Sequence, residues 1–272
     1  MSLIHPTAIV DPSAKIGEGT SVGPYSIIGP NVVIGRDNKI GPHVVIEGRT
    51  TIGDGNTIFQ FASVGAVPQD LKYRGEPSEL IIGNRNIIRE CATLQPGTTG
   101  GGMITKIGDQ NLFMANTHVG HDTFVGNRCV FANSAALAGH VIVGDGVIVG
   151  GLSGIHQFVR LGDVAMIGAG AMVSQDVPPY FMAQGDRAKI HGLNRVGLER
   201  NGGTKDDLAA IRSLYRSVFT PAVGSARKTF KERLAEAKAE VGVNPRAAQV
   251  IQFLETSERG VCAHHGTGDG DA

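Results

Sequence analysis

Lys15-Ile16-Gly17-Glu18-Gly19-Thr20-Ser21-Val22-Gly23-Pro24-Tyr25-Ser26-Ile27-Ile28-Gly29 sets a branched aliphatic at positions 16, 22 and 28, each followed directly by glycine. A period of six is neither the 3.6-residue repeat of an amphipathic helix nor the alternation of a half-buried strand. It is the mark of a β-solenoid, in which each hexad forms one flat side of a triangular prism and the aliphatic fills the axis. The glycine is expected to let the backbone turn the corner. Outward from this stretch the phase runs back through Val10 to Ile4 and forward without a miss to Val64. It resumes at Ile82, Ile88 and Leu94 and then, one residue out of step, continues from Ile107 to Val173, for 26 registered positions in all. Three hexads close one coil, so residues 18 apart should stack, giving about nine coils and a rod on the order of 40 Å long at a strand spacing of ~4.8 Å.

Composition agrees. The chain has 272 residues with no tryptophan and 5% aromatics, too few bulky side chains for a globular core of this size, whereas a solenoid needs only a thin apolar column. Lysine plus arginine equal aspartate plus glutamate at 25 each, which argues against a nucleic-acid binder. Cys91, Cys129 and Cys262 show no metal-like spacing and read as small buried or tail residues in a reducing compartment. No run approaches the ~20 apolar residues of a membrane span. The repeat begins at once and leaves no room for the apolar region of a signal peptide, so a cytoplasmic protein that is not integral to a membrane is expected.

Two interruptions break the repeat. Residues 66–80 form a polar loop in which Gln69, Asp70, Lys72 and Arg74 either bind a polar substrate or solvate the surface. Residues 96–105 are glycine-rich and expected to be mobile, and they lack the lysine and the strand-to-helix context of a phosphate loop. Residues 1–177 therefore read as the β-helix domain and 178–260 as a C-terminal helical domain. In the latter, Thr204 with Asp207 caps a first helix ended by Pro221, a second runs from about Ser225 to Val241, and a third opens at Asn244-Pro245 and closes near Gly260. Residues 261–272 lack apolar content and are expected to be disordered. Arg212, Arg216, Arg227, Lys228 and Lys231 are either solvated helix faces or a docking patch for an acidic partner.

Stacking arithmetic gathers one unusual constellation. One coil beyond His121 is Gly139 and two coils beyond is Gln157, while His140 lies one coil beyond Asp122 and His156 adjoins Gln157. His118 sits just around the turn. His5 and His43 are solitary surface histidines, but four histidines on one edge are hard to explain as packing. A histidine is a good general base at neutral pH, and Asp122 beside His121 can orient its ring. No serine or cysteine shares the corner, which points to a substrate hydroxyl as nucleophile, with the Gly139 N–H available to a developing oxyanion. The rival is zinc, although His118 and His121, three apart on a turning strand, do not match a recurrent zinc spacing.

The runs Gln69-Asp70-Leu71-Lys72-Tyr73, His118-Val119-Gly120-His121-Asp122, Leu137-Ala138-Gly139-His140, Ile155-His156-Gln157-Phe158 and Gln175-Asp176-Val177-Pro178-Pro179-Tyr180, in this order, closely resemble the UDP-N-acetylglucosamine O-acyltransferases that open lipid A synthesis in Gram-negative bacteria. The resemblance extends to about Gly260. It implies a homotrimer of left-handed parallel β-helices with active sites between subunits. It implies that His121 is the general base for the glucosamine 3-hydroxyl, Asp122 its partner and Gly139 the oxyanion donor. The acyl donor would be a 3-hydroxyacyl 4′-phosphopantetheine thioester on acyl carrier protein, with no other cofactor and no metal. Gln69, Asp70, Lys72, His118, His140, His156 and Gln157 would hold substrate, with Gln69 and Lys72 acting across the interface. Asn194 and Arg200 match nucleotide-contacting positions, and Ala169, Met172 and Arg187 lie where the family measures the acyl chain. Val196 stands where an acidic residue is expected, a departure that bears on ribose recognition. The alternatives are a zinc-dependent hydratase or lyase, a related sugar N-acyltransferase, and a non-catalytic solenoid binding protein.

Overall fold

The computed structural model describes residues 3–220, 228–240 and 244–265. Every one of the 26 registered side chains closes a strand of two or four residues, and these strands stack into three parallel sheets, the faces of a prism. The chain is a left-handed parallel β-helix, against the right-handed habit of parallel crossovers. Ile4 pairs with Val22, 18 residues on. Across the first insertion Ile52 pairs with Ile82, 30 residues on, and across the second Ile82 pairs with Ile107, 25 on. The first excess is 12, two whole hexads, so phase is kept; the second is 7, one hexad plus one, which is the observed slip. The strands Glu79–Ile82 and Ile104–Ile107 reclaim the last two residues of each interruption, so both loops end earlier than their sequence bounds.

From Val22 to Val173 no registered side chain is more than 5% exposed. Burial of each stabilises the column by roughly 1.5–3 kcal/mol. Phe113 and Phe131, the bulkiest of them, stack at 4.8 Å between ring centroids.

The glycine after the aliphatic has a different task from the one its position suggests. Corners are turned three residues past the aliphatic, by residues such as Tyr25, Asn31, Asp37 and His43, with φ between 53° and 61°. The glycines instead mark where successive coils touch. A Cβ on Gly17 would lie 2.5 Å from the carbonyl carbon of Gly35, and one on Gly23 2.7 Å from that of Gly41. His43 is exposed as expected, and it stacks between Tyr25 and Phe61 on the first corner.

Inside the third corner runs a ladder of fully buried asparagines, Asn38, Asn56, Asn86 and Asn111. Each side-chain oxygen accepts the backbone N–H one coil on, at 2.8 Å for Asn56 and Asn86, 2.9 Å for Asn111 and 2.7 Å for Cys129. Each side-chain NH2 donates to a glycine carbonyl, those of Gly53, Gly83, Gly108 and Gly126. The buried amides are thereby satisfied.

Past Val177 the chain does not turn helical at once. Phe181–Gln184 adds a parallel strand to the first face and Lys189–Leu193 returns antiparallel, extending that sheet before α1 (Arg195–Arg200) begins. α2 (Lys205–Phe219) carries the predicted capping box at Thr204 and Asp207. α3 (Phe230–Glu240) starts later than the sequence reading placed it; Ser225, Arg227 and Val241 lie outside the described residues. α4 (Pro245–Glu255) is capped by Asn244 but stops short of Gly260, its last turn closed at Thr256. Ile211, Leu214 and Val218 of α2 are buried, as are Leu234 of α3 and Val250 and Leu254 of α4. Thr204→Ala removes the side-chain half of the capping box, the hydroxyl that accepts from Asp207 N at 3.1 Å, while the Thr204 N–H stays on Asp207 Oδ2; the loss is expected to cost about 1 kcal/mol, read from the urea midpoint.

The tail is ordered at least through His265. Cys262 donates its N–H to Asp176 and its side chain is 1% exposed, while His265 donates to the Ile190 carbonyl. Residues 266–272 of the predicted disordered tail lie outside the described residues. Burial pushes the Cys129 and Cys262 thiols up to about 12; Cys91, at a corner with positive φ, is exposed rather than buried.

Candidate active site

The second corner of the prism carries the histidines because of how the strand His118–Val119 is read. Val119 points to the axis, so its neighbour His118 points out of the second face. Two residues on, His121 stands at the bend, and Asp122 takes the left-handed corner conformation at φ 57°. His140 and Phe158 take the same corner position in the next two coils, with φ 61° and 65°. His140 stacks on Phe158 at 4.4 Å and meets His121 edge-on at 5.0 Å.

His121 Nδ1 lies 2.8 Å from Asp122 Oδ2, and both side chains are buried. An ionised carboxylate only accepts hydrogen bonds, so Nδ1 is the donor and the lone pair of the neutral ring sits on Nε2. Gly139 lies against that ring: a Cβ there would be 2.4 Å from Cε1 and 2.6 Å from Nε2. Among the described residues no backbone carbonyl accepts the Gly139 N–H.

Asp122 also accepts from Thr98, whose N–H reaches Oδ1 at 2.8 Å and whose hydroxyl reaches Oδ2 at 2.6 Å. The glycine-rich insertion is therefore not an idle mobile loop; it delivers a donor pair to the site. Nothing in the sequence flagged Thr98, because it sits 24 residues before Asp122 and off the 18-residue stacking interval. His121, Asp122 and His140 bring possible ligand atoms within 4.8 Å of one another, the one such group among the described residues. Both Asp122 oxygens already accept hydrogen bonds, Oδ1 from Thr98 N and Oδ2 from the Thr98 hydroxyl and His121.

A groove of about 630 Å³ opens beside the dyad. Ala136, Leu137, Ala138, Ile155, Met172 and Val173 give it an apolar floor, while Gln69, His118, His121, His156, Gln157 and Arg187 supply polar groups. His118 is fixed by a 2.7 Å hydrogen bond between Nδ1 and Thr93 Oγ1. Gln69 donates its N–H to the Gln95 side chain at 3.1 Å, which holds the first insertion over the groove of its own chain rather than leaving it to reach only a neighbour. Asp70 and Lys72 are felt electrostatically at His140. Arg259, beyond α4, lies 2.8 Å from His156 Nδ1 and donates to the Ser174 carbonyl at 2.7 Å. Ser174 also lines the groove, a serine that the stacking arithmetic did not place there. A second cavity of about 530 Å³ shares Asp186 and Arg187 with the first and includes Ala169.

The chain matches the acyl-[acyl-carrier-protein]--UDP-N-acetylglucosamine O-acyltransferase of Myxococcus xanthus with 52% identity over 261 residues, 96% of this chain and 99% of the relative. The Burkholderia lata enzyme of the same name is 49% identical over 262 residues, again 96% and 99% of the two chains. This chain belongs to the UDP-N-acetylglucosamine O-acyltransferase family. The crystal structure of the Moraxella catarrhalis member superposes on this acyltransferase with a TM-score of 0.89 at 44% identity, covering 95% of this chain and 98% of that one. The family profile described as Udp N-acetylglucosamine O-acyltransferase, Domain 2, matches residues 176–262, and the bacterial transferase hexapeptide profile matches residues 1–36.

Two expected nucleotide residues stand apart from the groove in this acyltransferase. The Asn194 side chain is buried, accepting from Gly197 N at 2.9 Å to cap α1 and donating to the Val164 carbonyl at 2.8 Å. Val164, Gly146 and Tyr180 belong to the third corner, so Asn194, exposed Val196 and exposed Arg200 lie along a different edge from His121.

The His118 ring is held below the ordinary histidine value of 6.5, chiefly by burial and secondly by the charge of His121. His140 is lowered mainly by burial, with the Asp122 carboxylate opposing. As pH falls below 6.5, the unfolded chain takes up protons that these folded rings resist, so stability present above 6.5 is lost through the window beneath it. The urea midpoint is expected to drop between pH 7.5 and 5.5, and His118→Gln to flatten that slope; an unchanged slope would remove His118 from the account.

Proposed function

We propose that this acyltransferase moves a 3-hydroxyacyl chain from the 4′-phosphopantetheine thioester of acyl carrier protein to the 3-hydroxyl of UDP-N-acetylglucosamine, the first step of lipid A synthesis, in the cytoplasm. The observation that carries the reading is the buried His121–Asp122 pair opening on an apolar groove in a chain of this family. His121 Nε2 takes the proton from the sugar hydroxyl as the oxygen attacks the thioester carbonyl, while Asp122 stabilises the imidazolium through Nδ1. The Gly139 N–H receives the oxyanion. Collapse of the adduct expels the thiolate, which recovers the proton from His121. His118, His140, His156 and Gln157, with Gln69, Asp70 and Lys72 of the insertion, hold the sugar and diphosphate. The acyl chain lies on the apolar floor toward Met172, Arg187 and Ala169. No further cofactor and no metal takes part.

The working assembly is a homotrimer. If Asn194 and Arg200 serve the nucleotide, they must come from a second copy, because within one chain they occupy another corner. Pairing the second corner of one copy with the third corner of the next is a heterologous contact, which closes into a ring of three when each copy is rotated by a third of a turn. Exposed Arg212, Arg216 and Lys231 on α2 and α3 offer a basic surface to acidic acyl carrier protein. The test is mass spectrometry of the product from UDP-N-acetylglucosamine and a panel of acyl carrier protein thioesters, with the mass in solution measured alongside. An O-acylated sugar nucleotide is expected. An N-acylated product, or loss of activity to chelators with stoichiometric metal in the protein, would replace this reading.

A further inference from the structure

The second insertion carries a side chain that lines no part of the groove and yet fixes the dyad. Thr98 is 2% exposed and spends both of its donors on one carboxylate, its N–H on Asp122 Oδ1 at 2.8 Å and its hydroxyl on Oδ2 at 2.6 Å. Its own carbonyl accepts from Gly101 N at 3.1 Å and Met103 N at 2.9 Å, so the loop is closed on itself around this residue. Two glycines make the approach possible. A Cβ on Gly101 would fall 2.1 Å from Asp122 Cγ, and one on Gly97 would fall 2.1 Å from the backbone nitrogen of Ile104. Next along, Thr99 N donates to Glu76 Oε1 at 3.2 Å, tying this insertion to the first.

We propose that Thr98 is a positioning residue for the proton transfer, holding Asp122 so that Oδ2 grips His121 Nδ1 and Nε2 faces the groove. The inference deepens the reading of His121 as base and rests on it. The physical need is a choice between two partners. Oδ2 stands 2.8 Å from His121 Nδ1 and 3.9 Å from His140 Nε2. A carboxylate with histidine donors alone is free to rotate about its Cα–Cβ and Cβ–Cγ bonds and share itself between the two rings. The paired donors of Thr98, one to each oxygen, remove that rotation.

The test is steady-state kinetics of the full-length protein with UDP-N-acetylglucosamine and an acyl carrier protein thioester. Thr98→Val, which keeps the shape and loses the hydroxyl, is expected to lower kcat about 10- to 100-fold, the scale of losses from a residue that orients a catalytic group, with KM nearly unchanged. Thr98→Ser, which restores the hydroxyl, should recover most of that loss, and Thr98→Ala replaces the valine variant should valine prevent folding. In an Asp122→Asn background, Thr98→Val should cost little more, because the two act as a unit. Full kcat in a folded valine or alanine variant, no recovery with serine, or additive losses would overturn the proposal. Failure of the base assignment looks different: His121→Ala would then retain activity, whatever Thr98 does.

Discussion

His121→Ala is expected to lower kcat by about 10²- to 10⁴-fold, the usual contribution of a positioned general base, while circular dichroism and the thermal midpoint stay close to those of the parent. The fold should survive because the register of the second face is set by Val119 and Leu137, not by the ring at the corner. Asp122 also keeps its two bonds from Thr98 after the change, so no buried carboxylate is orphaned. KM for the sugar nucleotide should move much less than kcat, as expected of a base that acts in the transition state rather than in uniform binding. A variant that retains kcat within about tenfold of the parent would take the proton transfer away from this residue.

Gly139→Ala is the second large effect. The backbone at Gly139 is not in the left-handed region, so alanine is tolerated by its own conformation. The damage lies in contact: the new methyl would fall 2.4 to 2.9 Å from three atoms of the His121 ring. One must move, and the ring sits at the open side. Displacing it misaligns Nε2, and the methyl crowds the N–H proposed to receive the oxyanion, so kcat should fall about 10²- to 10³-fold, comparable to loss of an oxyanion donor. The urea midpoint should change by less than about 1 kcal/mol equivalent. Unaltered turnover would show that the ring has room the structure does not give it.

The architecture was legible because a six-residue period has no competing local explanation and each repeat confirms its neighbours. The same arithmetic placed His121, Gly139, His140, His156 and Gln157 on one edge, since stacking converts sequence intervals into adjacency. It failed where chain leaves the lattice. Thr98 reaches Asp122 from an insertion whose path the period does not describe, and Arg259 reaches His156 from 103 residues away. The hairpin at Phe181–Gln184 and Lys189–Leu193 was missed because its strands carry no hexad and its polar half imitates a loop. The corner glycines misled for a related reason: sequence shows that a side chain is missing, not whether conformation or contact demands it. Asn194 shows another limit: the resemblance matches it to a nucleotide-contacting position, and nothing in the sequence announced that its side chain also caps a short helix.

The buried asparagines have a bearing on fidelity during folding. A coil that docks one whole hexad out of place still sets an aliphatic on the axis, so apolar packing alone penalises the error weakly. The amides at positions 38, 56, 86 and 111 penalise it strongly, because each shifted rung strands a polar group in the dry interior at about 1–3 kcal/mol. They act as teeth on a ratchet, rejecting misthreaded windings between the second and seventh levels of the rod. The one-residue offset in the repeat is confined to an external loop, where no tooth has to skip.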